Sequence, residues 1–539
     1  MIGVLSRPED VRWVAEFFEL FKTPWEPYRP AAQYAAVLSC GVEPPPNAAP
    51  VLVAYGAREL ELDRCLGLNP RAMSGPLAYR SWSIPLYGTA LAFATGDPLA
   101  AAEQGAGVVR ARRGAQTVVR AGFDLFGEVR QLLTVGQPAN HAAAPTLDGH
   151  IASLREWLVN AGVVLVEIPP VPAGHPYTAC LTHDVDHPEI RRHGLDRTVL
   201  GFLQRAVFGS VGRWLGGRLT LAQLLRNWGA VLKLPGVHLG LARDFWRTFA
   251  RYAELERGLG ATFFVIPEAG NPGREVDRPH SARRASAYGA GDIADALGGV
   301  LATGGEVGVH GLDAWLEADS GRREAALVGK AAGQDCVGVR MHWLCWREAS
   351  PAVLEAAGFA YDSTVGYNEC AGFRAGTAQV FRPAGAERLL ELPLIAMDTA
   401  LLYPAYLNLP PAAAVAKLNE FVAHVREQGG VLTVNWHDRS VAPERQWDGP
   451  YRELLRQLRS DGAWCPTASG AVAWFRQRRE LRFERAAVAA GIVSVRVTGT
   501  ERIAASSTPG FRLWVWGAGG EKKEISFDGE LETTVTLPA

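Results

Sequence analysis

Between residues 177 and 440, short continuous apolar runs alternate with stretches of helical spacing. Seven such runs stand out: TACLTHDVD (178–186), GATFFVIP (260–267), GEVGVH (305–310), CVGVRMHWL (336–344), FAYDST (359–364), LELPLIAM (390–397) and VLTVNWHD (431–438). Runs that are apolar throughout, rather than alternately, fit strands buried on both faces of a parallel sheet. The region 171–483 therefore predicts an α/β fold, a distorted (β/α) barrel of about seven parallel strands.

The first 170 residues mix both periods. Helices are expected near 8–21, 124–134 and 147–161, with a strand over PVLVAY (50–55), giving a separate N-terminal α/β domain. The Pro- and Gly-rich IPPVPAGHP (168–176) disfavours helix and predicts a linker. From 484 to 539 the pattern changes to alternation (VSVRV, FRLWVW) with Gly-rich turns, which predicts a small all-β module. Between the first two barrel runs, about 190–250, the spacing is helical, and arginines interrupt TVLGFLQRAVFGSVGRWLGGRL (198–219) every few residues. This insertion is expected to be a packed helical subdomain, a lid, or a helix making peripheral contact with a membrane.

Bulk composition narrows the setting. Lys and Arg (55) nearly balance Asp and Glu (56), so no overall basic field points to nucleic acid. The seven cysteines (Cys40, Cys65, Cys180, Cys336, Cys345, Cys370 and Cys465) are odd in number and never spaced CxxC, which suits a reducing compartment. The opening MIGVLSRPEDVRWVAEFF lacks the pattern of a secretory signal, and no apolar stretch approaches membrane-spanning length. The expected location is the cytoplasm.

Chemistry-bearing residues gather at the ends of the runs. Asp184 and Asp186, two apart on a strand, share a face, and two close carboxylates call for a cation or a shared proton. A turn before Pro188 would explain them as well. His310 ends its run; Arg340 and His342 share a strand face; His437 and Asp438 end the last run. In a parallel barrel such ends converge on one rim, where active sites form. No GxSxG or GxxxxGK[ST] is present, and Gly105-Ala106-Gly107 lacks the third glycine of a dinucleotide fingerprint, since Arg110 stands there.

The order of these segments, with Ala261-Thr262-Phe263-Phe264-Val265 on the second strand, YDST (361–364), Glu391-Leu392-Pro393 and Asp398, resembles the polysaccharide deacetylase (NodB-homology) family over about 300 residues. GFDLFGEVRQLLT (122–134) resembles an N-terminal domain found in front of some deacetylase-like proteins of bacterial surface-polysaccharide clusters. The resemblance implies a NodB-like barrel with Asp184 as catalytic base, Asp186 as first metal ligand and His310 as first histidine ligand. It further implies that Arg340 orients the base and that His437, positioned by Asp398, is the general acid.

The chain departs from the family in three places. Val185 separates the two aspartates, Ala314 stands where a second histidine ligand is usual, and Arg340-Met341-His342-Trp343-Leu344 replaces RxPxG. His342 is inferred to compensate as third ligand because it shares a face with Arg340. Asp313 is the runner-up, and a site without a competent third ligand remains open. His183, His187, Trp436 and Asp313 are expected along the cleft, with Trp315, Trp343 and Trp346 nearby as sugar-stacking aromatics. One Asp and two His suit a divalent metal such as zinc, with ligands at roughly 2.0–2.2 Å.

The function implied is removal of N-acetyl or related acyl groups from a carbohydrate in surface-polysaccharide biosynthesis. The alternatives are a glycan-binding pseudoenzyme on the same barrel and a hydrolase of a small amide or ureide.

Overall fold

The computed structural model describes residues 1–46, 48–217, 219–274, 281–489, 491–499 and 508–537. Its central sheet has eight parallel strands: β1 (Thr178–Val185), β2 (Ala261–Val265), β3 (Glu306–Gly311), β4 (Gly338–Met341), β5 (Tyr361–Asp362), β6 (Leu390–Glu391), β7 (Ala396–Met397) and β8 (Val431–Asn435). Their order across the sheet is β6-β5-β4-β3-β2-β1-β8-β7. Two expectations change here. The strands number eight, because LELPLIAM is two strands; Pro393, which has no N–H to donate to a ladder, stands between them. And the barrel is not closed by hydrogen bonds: β6 and β7 are opposite edges of the sheet and do not pair.

The sheet is nonetheless strongly curled. Glu391 and Ala396 sit on opposite edges, yet five residues of extended chain span at most about 18 Å. Strands lie about 4.8 Å apart, so a flat sheet would put β1 and β4 roughly 14 Å from each other. The Arg340 side chain on β4 reaches β1 directly, donating from Nη1 to Thr182 Oγ1 at 2.7 Å. Buried Val, Leu and Phe side chains of the strands pack against the surrounding helices to form the main core.

The N-terminal region carries an eleven-stranded mixed sheet, parallel from Trp25–Pro27 through Ile2–Ser6, Ala36–Cys40 and Val51–Tyr55 to Gln116–Ala121, and antiparallel beyond. Helices Val11–Leu20, Leu125–Thr134 and Thr146–Asn160 occupy the expected places. The expected boundaries are blurred. Leu165–Glu167 pairs antiparallel with Phe511–Trp516, so a strand from before residue 170 completes a sheet of the C-terminal module. The linker is not an exposed tether either, since Ile168 through Pro172 are buried. The buried Arg478 guanidinium donates to the carbonyls of Glu19, Leu20 and Ile168 at 2.6–3.1 Å and holds first helix, linker and barrel together.

The insertion is helical as expected: α1 (Arg197–Gln204) and α2 (Ser210–Leu215), joined by one π-helical turn, then α3 (Leu221–His238). Asp196 caps α1 through the amides of Thr198 and Val199. A capping box of Thr220 and Gln223 starts α3.

Candidate active site

Every strand that contributes a site residue presents it at its carboxyl end, the rim where parallel sheets bind ligands. Asp184 on β1 is gripped from both sides. Arg340 Nη1 donates to its Oδ1 at 3.0 Å, and Asn435 Nδ2 on β8 donates to its Oδ2 at 2.7 Å. Asn435 also accepts from the Asp184 amide at 3.0 Å, so the amide clamps backbone and side chain together. The Arg340 guanidinium is fully buried, bonds Ser363 through its backbone carbonyl and its hydroxyl, and lies 4.5 Å over the Phe264 ring. Burial pushes the Asp184 carboxyl up, but Arg340, His310 and His437 outweigh it, and the net shift is down. Asp184 is held ionised.

Beside it, one ligand atom each from Asp186, His310 and His342 lies within 4.8 Å of the others. Asp186 Oδ1 is 3.5 Å from His310 Nε2 and 3.4 Å from His342 Nδ1, and those two nitrogens are 2.9 Å apart. The other nitrogen of each ring meets a backbone carbonyl: His310 Nδ1 that of Arg340 at 3.0 Å, His342 Nε2 that of Arg284 at 3.1 Å. A carbonyl only accepts, so each ring donates from its outer nitrogen and turns its other nitrogen inward; on a neutral ring that inner nitrogen is a free lone pair. Asp186 Oδ1 is itself buried without a hydrogen-bond partner. A carboxylate oxygen and two ring nitrogens thus face one another, an arrangement that a positive charge at its centre would satisfy. Burial holds His342 down to about 3, so a proton on that ring does not supply the charge. The donor set fits a divalent cation, with the outer hydrogen bonds fixing the rings as metal-bound histidines require. Asp313, the alternative third ligand, is outside this cluster; its carboxylate accepts from the Arg274 amide at 2.6 Å.

The turn after β4 aims His342. Trp343 (φ 63°) and Leu344 (φ 52°) both take left-handed backbone, a costly conformation for bulky residues that persists only where the surroundings impose it.

On the other side of Asp186 stands His437, its Nε2 3.8 Å from Asp186 Oδ2. Asp398, directly after β7, accepts from His437 twice, from Nδ1 at 2.6 Å and from the backbone amide at 2.7 Å, and also from the Ser440 hydroxyl. Burial pushes the His437 imidazolium down, but Asp398 and then Asp186 and Asp184 prevail and raise it to about 9. Asp186 and His437 are the parts of the site that meet solvent, with side chains 24% and 12% exposed.

Other expected cleft residues lie elsewhere. Trp436 is fully buried and stacks on Tyr451 with ring centroids 5.0 Å apart. His183 is also fully buried, its Nδ1 2.7 Å from the Trp436 carbonyl and its Nε2 2.9 Å from Glu256. Neither faces the site, because Asn435 and His437, and Thr182 and Asp184, already occupy the inner side of their strands and alternation sends the residue between them outward. Trp315 and Ala314 belong to the core. His187 remains near the rim, with Nδ1 3.3 Å from His193 Nε2, and half-buried Trp343 has its ring 6.0 Å from that of His342. Sequence reasoning gave no role to Asn435, Ser363 or the Arg284 carbonyl. The position of Asn435, two before His437 at the end of the same apolar run, was the available signal.

No protein-family profile and no curated protein matches the chain. Solved structures similar to it include a candidate polysaccharide deacetylase from Mycobacterium smegmatis (18% identity, 57% of this chain and 95% of that one, TM-score 0.34). Puue allantoinase follows at 13% identity (57% and 93%, TM-score 0.35). A family 4 acetyl xylan esterase from Clostridium thermocellum, in complex with a cobalt ion, matches at 14% identity (55% and 90%, TM-score 0.24). At these identities and scores no family is assigned to the chain.

Proposed function

We propose that the chain is a metal-dependent hydrolase that removes an N-acetyl or related acyl group from a carbohydrate during surface-polysaccharide synthesis. The observation that carries this reading is the trio of inward ligand atoms on Asp186, His310 and His342, set between a clamped carboxylate and a charged histidine. A divalent ion, with zinc the best match to one Asp and two His, would supply Lewis-acid polarisation of the acyl carbonyl. Asp184, ionised and oriented by Arg340 and Asn435, takes the proton of the attacking water. His437, kept protonated by Asp398, gives its proton to the leaving amine. Asp398 and Asn435 are positioning residues, and His187 and Asp313 are assigned to sugar contact in this reading.

The histidine missing at Ala314 is the sequence feature that favours a glycan-binding pseudoenzyme. The inward Nδ1 of His342 answers it with a nitrogen from another strand end.

Metal content of the purified protein tests the assignment. About one divalent ion per chain in wild type, lost in both His310→Ala and His342→Ala, is the expected result. Retention in His342→Ala would move the third ligand elsewhere. No uptake by wild type from excess zinc would leave the pseudoenzyme as the better account.

A further inference from the structure

Among the described residues, the helical insertion carries an exposed apolar face. On α3, Leu221, Leu225, Trp228 and Leu232 recur at steps of four and three, so they form one stripe along the helix. All four are exposed, Leu232 at 82%. The opposite side of the helix is apolar too, with Ala230, Val231, Leu234 and Val237 packed inward. Helices that sit on a protein surface ordinarily turn polar residues to solvent. The preceding segment adds Phe208 at 77% exposure and Trp214 at 40%.

Charge tells what covers this face. From Arg197 to Arg243 the sequence has no Asp or Glu, while Arg197, Arg205, Arg213, Arg226, Lys233 and Arg243 are all cationic. A self-complementary contact between two copies would set cation against cation. An anionic lipid surface complements both features, taking apolar side chains between its headgroups while its phosphates meet the bases. Among the described residues no helix is long and apolar enough to cross a membrane, so the hairpin would lie in the interface rather than span it.

The hairpin, through the side opposite this stripe, packs on the segment that follows the rim residue His437. Gln446 Nε2 donates to Gln223 O and Asn227 Oδ1 at 3.0 Å, and Arg213 donates to Glu444 O at 3.1 Å, joining the hairpin to the segment that begins at His437. Tyr403 and Tyr406, just past Asp398, are exposed with rings 5.7 Å apart, a residue type favoured at headgroup depth.

We propose that the 195–241 hairpin docks the protein on an anionic bilayer, and that the rim beside it serves the sugar headgroup of a lipid-linked saccharide. The second half rests on the hydrolase reading; the docking does not.

Co-sedimentation of the full chain with phosphatidylcholine vesicles, with and without phosphatidylglycerol, tests the docking. Binding is expected to require phosphatidylglycerol and to weaken as salt rises. Leu225→Glu combined with Leu232→Glu, both at exposed positions, should reduce it roughly tenfold or more while the thermal unfolding midpoint holds. Binding by neither vesicle, or unchanged binding by the double variant, overturns the docking. So does concentration-dependent self-association in light scattering that the same variant abolishes, because a second copy would then be the occupant.

Acetate release from a soluble N-acetylated sugar separates the two halves. Its absence in wild type alongside intact vesicle binding defeats the hydrolase reading alone. With release present, kcat/KM for a vesicle-borne N-acetylglucosaminyl lipid should exceed that for the soluble sugar in wild type but not in the variant. Equal ratios in both proteins would refute the lipid-linked substrate.

Discussion

His342 and His437 stand on opposite sides of Asp186, both enclosed by the same curled sheet, and the structure drives them to opposite charge states. His342 gives its outer nitrogen to a neutral carbonyl and faces another histidine, so burial dominates and the ring stays neutral, down to about 3. His437 gives its outer nitrogen to an ionised Asp398 and faces two further carboxylates, so it is held protonated, up to about 9. One side of the site is built to offer a lone pair and the other to offer a proton. Separating the two by environment is how a single pocket supplies ligand and acid at one pH.

The comparison breaks outright if the residue between the halves is removed. Asp186→Ala should abolish metal retention and lower acetate release by about 10⁴-fold, the upper end of what one positioned group contributes. Elemental analysis beside a kinetic assay reads both, and a variant that keeps its metal would move Asp186 out of the ligand set. Asp184→Asn should act on chemistry alone, with a loss of about 10²–10⁴-fold in kcat and metal content unchanged. Near-normal kcat would remove Asp184 as the base.

Asp398→Asn sharpens the comparison from the acid side. Without that carboxylate His437 should fall from about 9 toward an ordinary value near 6.5, shifting the alkaline limb of the kcat profile to lower pH. The loss at neutral pH should be roughly tenfold to a hundredfold. A limb that does not move would place the titrating acid elsewhere.

Much of this arrangement was legible in the sequence because it depends on strand ends. Apolar runs located the strands, and the polar residue terminating each run marked the rim, so Asp184, Asp186, His310, Arg340 and His437 could be collected before any geometry was known. His183 and Trp436 were misplaced for a reason the sequence also contained: each sits one position from two inward residues, and period-two alternation turns it away. Other features depend on tertiary arrangement. The split of LELPLIAM between opposite sheet edges requires knowing that the sheet curls. The aim of His342 depends on left-handed backbone at Trp343 and Leu344, which nothing in their side chains favours. The borrowed strand Leu165–Glu167 shows that the domain boundaries read from composition were approximate, because composition does not report pairing across hundreds of residues.

The smallest effect expected is on stability, and it has opposite signs for the two histidines when chelator keeps the protein metal-free. His437, raised in the fold, contributes stability that is fully present below its unfolded value of about 6.5 and is lost as pH rises through about 9. His342, depressed in the fold, contributes stability that is present above about 6.5 and is lost as pH falls through its folded value of about 3. Each limb amounts to about 1–3 kcal/mol at most, since neighbouring groups relax as the ring titrates. Denaturant unfolding between pH 4 and 10 should therefore show wild type weakening on both sides of neutrality. His437→Asn should flatten the alkaline limb alone, and His342→Asn the acid limb alone. If one substitution flattened both limbs, the two rings would form a single coupled system across Asp186, and the division into a lone-pair side and a proton side would fail.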